Sequence, residues 1–430
     1  MIPSILPNPS TRQQRGITSP LALKRSLLAL WFLLLLLLVW GGCAGDSANQ
    51  REDSVGVNPI GLSEQRAKPV RLEIRWRKNL VGSGVWDWAA TEYSQPTVCC
   101  REEHVVVGTS TGELVVINIS TGRIVWSYDT DGRIDARPAV DPLDDMTLVV
   151  GNGAGSLYAF DVGQGLRWKR QLTGELNGAP TISGGRVFIL SSDEVLHAYD
   201  LATGERLWEY KRKIPDYITQ QELSTPTVDN DRVYCGFADG SFVAIEAETG
   251  APIWVRDLSG GETESTDVDA QPIIDEERIY ITSFSGGVFA LNRESGEVMW
   301  RAEMKGASTV VRSDDLIYTT TSRRHVVALN PNNGKRIWRI RHQRATPTIP
   351  MALDDYLLYG STDGGLYVLD RNLGLPIVKF DPDVGFNAPL TVQDNRVFVF
   401  SNHGVLYAFE VKRAAPRNDF RLGRRDSPRP

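Results

Sequence analysis

The feature of this chain that most restricts its fold is a short unit that occurs seven times along its length. Each unit is an alternating apolar run, a turn ending in Gly, and a closing residue three or four positions later. The closing residues are Trp126, Trp168, Trp208, Trp254, Trp300, Trp338 and Val378. Successive Trp residues are therefore 42, 40, 46, 46 and 38 residues apart. A repeat of this length predicts one four-stranded blade of a β-propeller per unit.

The interior of one unit shows what each repeat is made of. Arg186–Leu190 and Val195–Asp200 are short, β-rich segments joined by a tight turn. Such segments, linked by turns that carry Gly or Asp, are typical of β-hairpins. A Trp on the outermost strand can bury on the order of 200 Å² against the next blade. We therefore interpret these Trp residues as structural, and we expect the turn Gly to adopt a positive φ.

The two ends of the repeat array indicate how the ring closes. Eight first strands are expected, of which the sixth lacks the Pro that precedes the others. The last unit, ending at Glu410, has no Trp strand after it, whereas Arg71–Trp76 is a Trp strand without a unit before it. Pairing these segments would complete one blade and remove exposed sheet edges. The sequence thus predicts an all-β, eight-bladed propeller of four-stranded antiparallel blades over residues 71–411, in which the N-terminal strand pairs with the C-terminal blade.

The N-terminal region has the pattern of an export signal. Basic residues precede an apolar run, Leu27–Trp40, which is shorter than the roughly 20 residues needed to span a bilayer. Gly41, Gly42 and Cys43 follow and resemble a bacterial lipobox, with Trp40 where that motif usually has Leu. We expect residues 1–42 to be a lipoprotein signal peptide and Cys43 to be the lipidated residue. An uncleaved anchor and ordinary secretion remain alternatives.

Charge and composition describe the segments on either side of the propeller. Residues 43–70 are polar and without a period, so we interpret them as a flexible, lipid-anchored tether. Residues 412–430 are a basic tail that we expect to be disordered, with contact to anionic lipid head groups as the alternative. The whole chain carries a net charge of −6, which argues against a nucleic-acid-binding protein.

No residue pattern points to catalysis or to a bound metal. The five His residues stand singly, without metal-ligand spacing, and no hydrolase, metalloprotease or nucleotide-binding motif occurs. Cys235 alternates into a strand and is expected to be buried. The pair Cys99–Cys100 ends a first strand and is the one feature that favours a redox function. We predict no catalytic residues, no metal site and no cofactor.

The segment from Thr266 to Trp300 resembles a known family most strongly. It contains the run Asp267-Val268-Asp269-Ala270-Gln271-Pro272, the alternating Gly286–Leu291 and the closing Ser295–Trp300. These residues, together with the lipobox, tether and ring, are similar to those of the outer membrane assembly factor BamB. The resemblance implies a non-catalytic, lipid-anchored scaffold at the periplasmic face of the cell outer membrane. Its implied partners are the periplasmic repeat domains of the central barrel-assembly protein, other lipoproteins of that machinery and unfolded outer-membrane protein clients.

The resemblance also suggests which residues bind the partner. The family docks through the loop before the fourth blade and the acidic segment before the fifth. Here the acidic segment matches at Asp267 and Asp269, and the loop aligns with residues 216–223. Ile218 fits the family pattern in that loop, whereas Gln220 and Gln221 depart from it. Local turn hydrogen bonding is the structural alternative for the two Asp residues.

Two other functions remain open from sequence. Quinoprotein dehydrogenases have the same ring and repeat and carry a vicinal disulfide beside their quinone, so a quinone-dependent oxidoreductase is one alternative. A membrane-tethered propeller that binds or senses a ligand is the other. Retention in the inner-membrane fraction would distinguish the latter from an outer-membrane scaffold.

Overall fold

The computed structural model describes residues 67–82, 91–214, 223–262, 265–382 and 384–414. These residues form 32 β-strands, grouped into eight sheets of four. The predicted signal peptide, Cys43, most of the tether and most of the basic tail lie outside them. No helix that could cross a bilayer occurs in the part of the chain that the structure describes.

The sheets are the blades of the propeller and are numbered in chain order. Blade 1 contains β2 (Thr97–Cys99), β3 (His104–Gly108), β4 (Glu113–Asn118) and β5 (Ile124–Asp129). Blade 2 contains β6 (Ala139–Val140), β7 (Thr147–Gly151), β8 (Ser156–Asp161) and β9 (Gly165–Gln171). Blade 3 contains β10 (Thr181–Ser183), β11 (Arg186–Ser191), β12 (Val195–Asp200) and β13 (Arg206–Lys211). Blade 4 contains β14 (Thr227–Asp229), β15 (Arg232–Gly236), β16 (Ser241–Glu246) and β17 (Pro252–Asp257).

The second half of the ring repeats this arrangement. Blade 5 contains β18 (Ile273–Ile274), β19 (Arg278–Ser283), β20 (Gly287–Asn292) and β21 (Val298–Ala302). Blade 6 contains β22 (Val311–Ser313), β23 (Leu316–Thr320), β24 (His325–Leu329) and β25 (Arg336–Arg341). Blade 7 contains β26 (Met351–Leu353), β27 (Tyr356–Ser361), β28 (Gly365–Asp370) and β29 (Pro376–Phe380). Blade 8 contains β30 (Thr391–Gln393), β31 (Arg396–Phe400), β32 (Val405–Arg413) and β1 (Val70–Asn79).

Blade 8 confirms the predicted closure of the ring. Its strand order is β1-β32-β31-β30, so the first strand of the fold is the outer strand of the last blade. β1 and β32 are antiparallel, with Val70 opposite Arg413 and Trp76 opposite Ala408, and their register shifts between Ile74 and Trp76. The predicted eight-bladed, all-β architecture is therefore confirmed.

Burial follows the position of a strand within its blade. The two middle strands of each blade are buried on both faces, as in β15 and β16, because a neighbouring blade covers each side. The outer strands alternate between exposed and half-buried residues, as in β13. Contacts between first strands of neighbouring blades, such as β10 with β6 and β14, place those strands innermost. The core consists of eight clusters, and one of them joins Val105 of blade 1 to Phe398 of blade 8.

The repeated Trp and Gly residues meet across the joints between blades. A Cβ built on the turn Gly of one blade would lie 2.5–2.9 Å from the Trp ring of the preceding blade. The Trp–Gly pairs are Trp76–Gly122, Trp168–Gly204, Trp208–Gly250, Trp254–Gly296, Trp300–Gly334 and Trp338–Gly374. All six turn glycines have φ between +68° and +75°. Glycine is therefore needed for both the backbone conformation and the space that it leaves for the ring.

Most of these Trp rings also donate a hydrogen bond to the next blade. Trp168 Nε1 donates to the carbonyl of Leu201 at 2.9 Å, and Trp76, Trp208, Trp300 and Trp338 make the equivalent bond. The joint between blades 1 and 2 is different, because its turn is one residue shorter. Trp126 makes no such bond within the described residues and packs edge-on against Phe160, at 5.4 Å between ring centroids. A Cβ on Gly165 would meet nothing within 4 Å.

Candidate functional site

The strand order decides which flat side of the ring carries the predicted partner-binding residues. Each blade has four antiparallel strands, so its second turn and its link to the next blade lie on the same side. We call this side the connection face. The first and third turns, which include the Gly turns beneath the Trp rings, lie on the opposite side. Asp267 and Asp269 are in the link from β17 to β18 and therefore belong to the connection face.

A cavity of about 250 Å³ opens on the connection face between blades 3, 4 and 5. Its walls are the second turns of blades 3 and 4 and the links that enter blades 3, 4 and 5. The lining residues are Glu175, Asn177, Leu190, Ser192, Glu194, Leu223, Ser224, Gly236, Phe237, Ala238, Asp267, Val268 and Asp269. The lining thus combines four carboxyl side chains with an apolar wall and contains no Lys or Arg.

The cavity brings one predicted segment close to the end of the other. Asp267 is 3% exposed and Asp269 is half-buried, and both line the cavity. Ile218, Gln220 and Gln221 lie outside the described residues, in the gap 215–222. Leu223, the first described residue after this gap, also lines the cavity. The loop before blade 4 therefore returns to the ring beside the acidic segment.

The acidic segment is held tightly on blade 4. Val268 is 1% exposed, and its N–H donates to the carbonyl of Phe237 at 3.2 Å. A Cβ on Gly236 would lie 2.1 Å from the Val268 carbonyl oxygen, so only glycine allows this approach. The carbonyl of Asp267 accepts the N–H of Phe284, from the second turn of blade 5, at 2.9 Å. The segment is thus fixed to two blades, which presents its side chains in a defined position.

Ser224 supports the same segment from below. Its Oγ donates to the Ala270 carbonyl at 3.2 Å and accepts the N–H of Gly236 at 3.2 Å, and the residue is 2% exposed. Ser94 makes the same pair of bonds between blades 1 and 2, to Ala136 and Gly108. The same serine bridge therefore occurs at two joints of the ring, and the copy at Ser94 lies away from the cavity.

Glu194 is a second deeply buried carboxyl group of the cavity, beside Asp267. The residue is 4% exposed and has a φ of +59° in the turn between β11 and β12. Its Oε2 accepts the N–H of Ala238 at 3.0 Å and so joins the turns of blades 3 and 4. Burial raises the pKa of Glu194 to about 7, and the nearby carboxylates of Asp239 and Asp267 act in the same direction. The neutral acid is the form that this position favours.

An ion pair closes the outer side of this turn pair. Arg212 Nη2 lies 2.8 Å from Asp239 Oδ2, and Arg212 Nε donates to the same oxygen at 3.0 Å. The N–H of Arg212 also donates to the carbonyl of Glu194 at 2.9 Å. Arg212 therefore offsets the charge of Asp239 on the outer side of the two turns.

No described cysteine lines this cavity, although Cys235 directly precedes the lining residue Gly236. Cys99 and Cys100 are buried thiols with their Sγ atoms 3.0 Å apart, and Cys100 donates to Cys99. This contact, together with burial, raises the pKa of Cys99, whereas the same contact lowers the pKa of Cys100. Cys235 is fully buried, which raises the pKa of its thiol. No group of three or more His, Cys, Asp or Glu residues that could hold a metal ion occurs in the described ranges.

The sequence alone did not point to several residues of the cavity. Glu194 stands in an ordinary-looking turn, Ser192-Asp193-Glu194, and Glu175 in a link between blades. Aligning the repeats would have identified them, because each blade has a link and a second turn at corresponding positions of the sequence. All blade links and second turns share one face, so acidic residues in neighbouring copies come together.

The sequence profile of the family described as "Outer membrane protein assembly factor BamB" matches residues 73–142, 136–339 and 322–416. This chain belongs to the BamB family. The BamB of Bordetella pertussis is 27% identical over 179 residues, which are 42% of each chain. The BamB of Nitrosomonas eutropha is 24% identical over 198 residues, 43% of this chain and 44% of the relative. The matches thus span less than half the length of these BamB relatives.

Solved structures show the same fold. The crystal structure of BamB from Moraxella catarrhalis superposes with a TM-score of 0.70 and 22% identity, over 79% of this chain and all of that one. A quinohemoprotein alcohol dehydrogenase from Comamonas testosteroni superposes with a TM-score of 0.64 and 15% identity, over 79% of this chain and 76% of the dehydrogenase. At these identities the likeness establishes the propeller fold in both cases and nothing about chemistry.

Proposed function

We propose that this chain is a non-catalytic scaffold of the outer-membrane β-barrel assembly machinery. The proposal is supported by membership of the BamB family, whose relatives are named outer membrane protein assembly factors. In it, the connection face of blades 3 to 5 binds a periplasmic domain of the central barrel-assembly protein. Binding there would hold that domain in position while client proteins fold and insert.

One observation carries this proposal: the acidic segment and the end of the loop before blade 4 line the same cavity. Asp267, Asp269 and Leu223 come from two links that are more than 40 residues apart in sequence, and the ring places them together. An interface of this kind needs an apolar centre and charges that select the partner. Leu223, Phe237 and Val268 provide apolar surface in the lining, beside the carboxyl groups.

The charge of the cavity defines the partner's chemistry. The described lining contains four carboxyl groups, so a complementary partner presents Lys or Arg at the mouth of the cavity. Asp269 is only half-buried and is the better placed of the two Asp residues to meet such a group. The loop residues Ile218, Gln220 and Gln221 belong to the same proposed surface.

The remaining parts of the proposal concern location and partners. Cys43 is proposed to be acylated, with residues 43–70 as the tether that holds the ring at the periplasmic face of the outer membrane. Other lipoproteins of the machinery and unfolded barrel clients are the further proposed partners. Mass spectrometry of the mature N-terminus, combined with membrane fractionation, tests the anchor and the compartment together. An unmodified Cys43 in an inner-membrane fraction would contradict this part.

The docking surface is tested by charge reversal at Asp269. We expect Asp269→Arg to weaken co-purification of the central barrel protein from mild detergent by at least tenfold, because a complementary charge pair becomes a repulsive one. Binding of the purified partner domain, measured by calorimetry at two salt concentrations, would give the same order of variants. Substitution at Ile218, in the undescribed loop, provides an independent second position.

Asp135 provides the matched control. It occupies the equivalent position in the link before blade 2, three links before that of Asp269. It is half-buried as well and does not line the cavity. Asp135→Arg changes the net charge equally and should leave binding unchanged. Equal losses for both variants, or no loss for Asp269→Arg, would contradict the assignment of the docking surface.

A further inference from the structure

The outer edge of blade 6 carries an unusual concentration of positive charge. Between Leu316 and Leu353 the sequence contains seven Lys and Arg residues and no Asp or Glu, in a chain whose net charge is −6. The seven cations are Arg323, Arg324, Lys335, Arg336, Arg339, Arg341 and Arg344. Six of them are exposed and Arg324 is half-buried. We call this set the blade 6 basic rim.

These cations lie on one continuous surface. Arg336, Arg339 and Arg341 are on the outer strand β25, and Arg341 pairs across to His325 on β24. Burial lowers the pKa of His325, and the next largest influences are the positive charges of Arg339 and Arg341. A strand of six residues extends over about 20 Å. The rim therefore presents cations over most of the height of the blade.

The cations of the rim differ from most of those on β9, the other outer strand with three cations, in having no carboxylate partners. No ion pair joins any of the seven cations to Asp or Glu among the residues that the structure describes. The outer strand β9 also has three cations, but Arg167 pairs with Asp161, and Lys169 lies 2.6 Å from Asp131. Charged residues on an edge strand can also prevent aggregation. That role does not explain a set of positive charges alone, because outer strands of other blades carry both positive and negative charges.

We propose that the blade 6 basic rim contacts a bilayer surface that carries anionic phospholipid head groups. The cations are spread along a strand and do not converge on a cavity, which suits a surface of repeated phosphates better than one small ligand. The sequence also predicts a membrane anchor at Cys43, which would keep the ring close to such a surface. A cluster of exposed Lys and Arg near an anionic leaflet is attracted to it electrostatically.

This contact is compatible with partner docking because it uses a different surface. The cavity opens on the connection face at blades 3 to 5, whereas the basic rim follows the outer strand of blade 6 and reaches the connection face only at that blade's second turn and its link to blade 7. The two surfaces share no residue. A ring that contacts the membrane through blade 6 keeps the connection face of blades 3 to 5 accessible. The lipid contact rests on the proposed anchor at Cys43 but not on partner docking, so a failure of docking leaves it standing.

The test measures which edge of the full-length protein approaches lipid. An environment-sensitive fluorophore is attached at Gln343→Cys, beside the rim, and in a separate sample at Thr173→Cys, the equivalent exposed position on blade 2. The protein is reconstituted through its own N-terminal region into vesicles of neutral phosphatidylcholine or of the same lipid with phosphatidylglycerol. Lipids that carry a nitroxide at the head group then quench a probe that lies close to the surface. We expect quenching at position 343 in anionic vesicles only, with loss of quenching as salt is raised.

Charge reversal on the rim gives the decisive comparison. Each Lys or Arg near an anionic surface changes the contact equilibrium by about fivefold. Arg339→Glu with Arg341→Glu should therefore lower the ratio of contacting to free orientations by at least about 25-fold. The control, Arg206→Glu with Lys211→Glu, makes the same charge change on the outer strand of blade 3, at the positions of β13 that correspond to Arg336 and Arg341, and should leave quenching at 343 unchanged.

Three outcomes would overturn the proposal. They are equal quenching at positions 343 and 173, an equal response to both double variants, and no quenching at 343 in anionic vesicles. The last outcome would favour an acidic protein partner for the rim. The substituted residues are exposed, so both double variants should retain the unfolding midpoint of the parent. Arg339→Gln with Arg341→Gln, which removes charge without adding acid, should give a smaller loss in the same direction.

Discussion

A single methyl group should distinguish the two requirements that the repeat places on its turn glycines. Gly204 has a φ of +68°, and a Cβ there would lie 2.6 Å from Cδ2 of Trp168. Trp168 is 6% exposed and cannot move aside without breaking its hydrogen bond to Leu201. The left-handed conformation costs a residue with a side chain about 1–2 kcal/mol. Forcing extra volume into a packed site adds about 1–3 kcal/mol.

The matched control for this substitution lies in the same blade. Gly185 has a φ of +71°, and a Cβ there would meet nothing within 4 Å. Gly185→Ala should therefore cost only the conformational part, about 1–2 kcal/mol, whereas Gly204→Ala should cost about 2–5 kcal/mol. Urea unfolding at constant m-value measures both losses. In a Trp168→Ala background the extra cost of Gly204→Ala should disappear. Equal losses for the two Gly variants in the parent protein would refute the role of the Trp contact.

Three further outcomes are expected. Because the pKa of Glu194 is raised to about 7 in the folded state from an ordinary 4.5, its stabilisation is present below about pH 4.5 and is lost as the pH rises to about 7. Glu194→Gln should therefore reduce the decrease in the free energy of unfolding between pH 4.5 and pH 8 by up to about 3 kcal/mol, as measured by urea titration at both pH values. The same decrease in the variant and the parent would refute this expectation. Ser224→Ala and Ser94→Ala should each cost about 1–3 kcal/mol, since each leaves a buried carbonyl and N–H unpaired, but only Ser224→Ala should weaken partner binding in calorimetry. Trp168→Phe should destabilise the protein in thermal unfolding more than Trp126→Phe, because only the former loses a hydrogen bond to the next blade.

The sequence was sufficient to predict the architecture because the constraint that builds it is local and repeated. The turn glycine and the Trp recur at fixed spacing, and each pair specifies one joint between blades. The unmatched Trp76 strand and the last unit could be assigned to one blade because an open ring would leave sheet edges unpaired. The structure confirms this assignment in the pairing of β1 with β32.

The candidate site was less accessible to sequence reasoning because it depends on which links share a face. Asp267 and Asp269 were found through resemblance to a family, and their position in a cavity follows from the strand order of each blade. The raised pKa of Glu194 depends on its burial and on the nearby carboxylates of Asp239 and Asp267, which no local pattern reveals. Trp126 and Trp254 fit the repeat in sequence, but within the described residues neither makes the ring hydrogen bond that five other joints have.

The pairing of the two chain ends has a consequence for biosynthesis. Asn79 lies opposite Val405, so the first strand to emerge has no partner until nearly the whole polypeptide has been made. At ribosomal rates of about 5–20 residues per second, that interval lasts on the order of 20–60 s. During this period β1 is a free strand that other extended chains could capture. A protein exported while still unfolded, as the predicted signal peptide requires, would postpone this hazard until both ends are on the same side of the membrane.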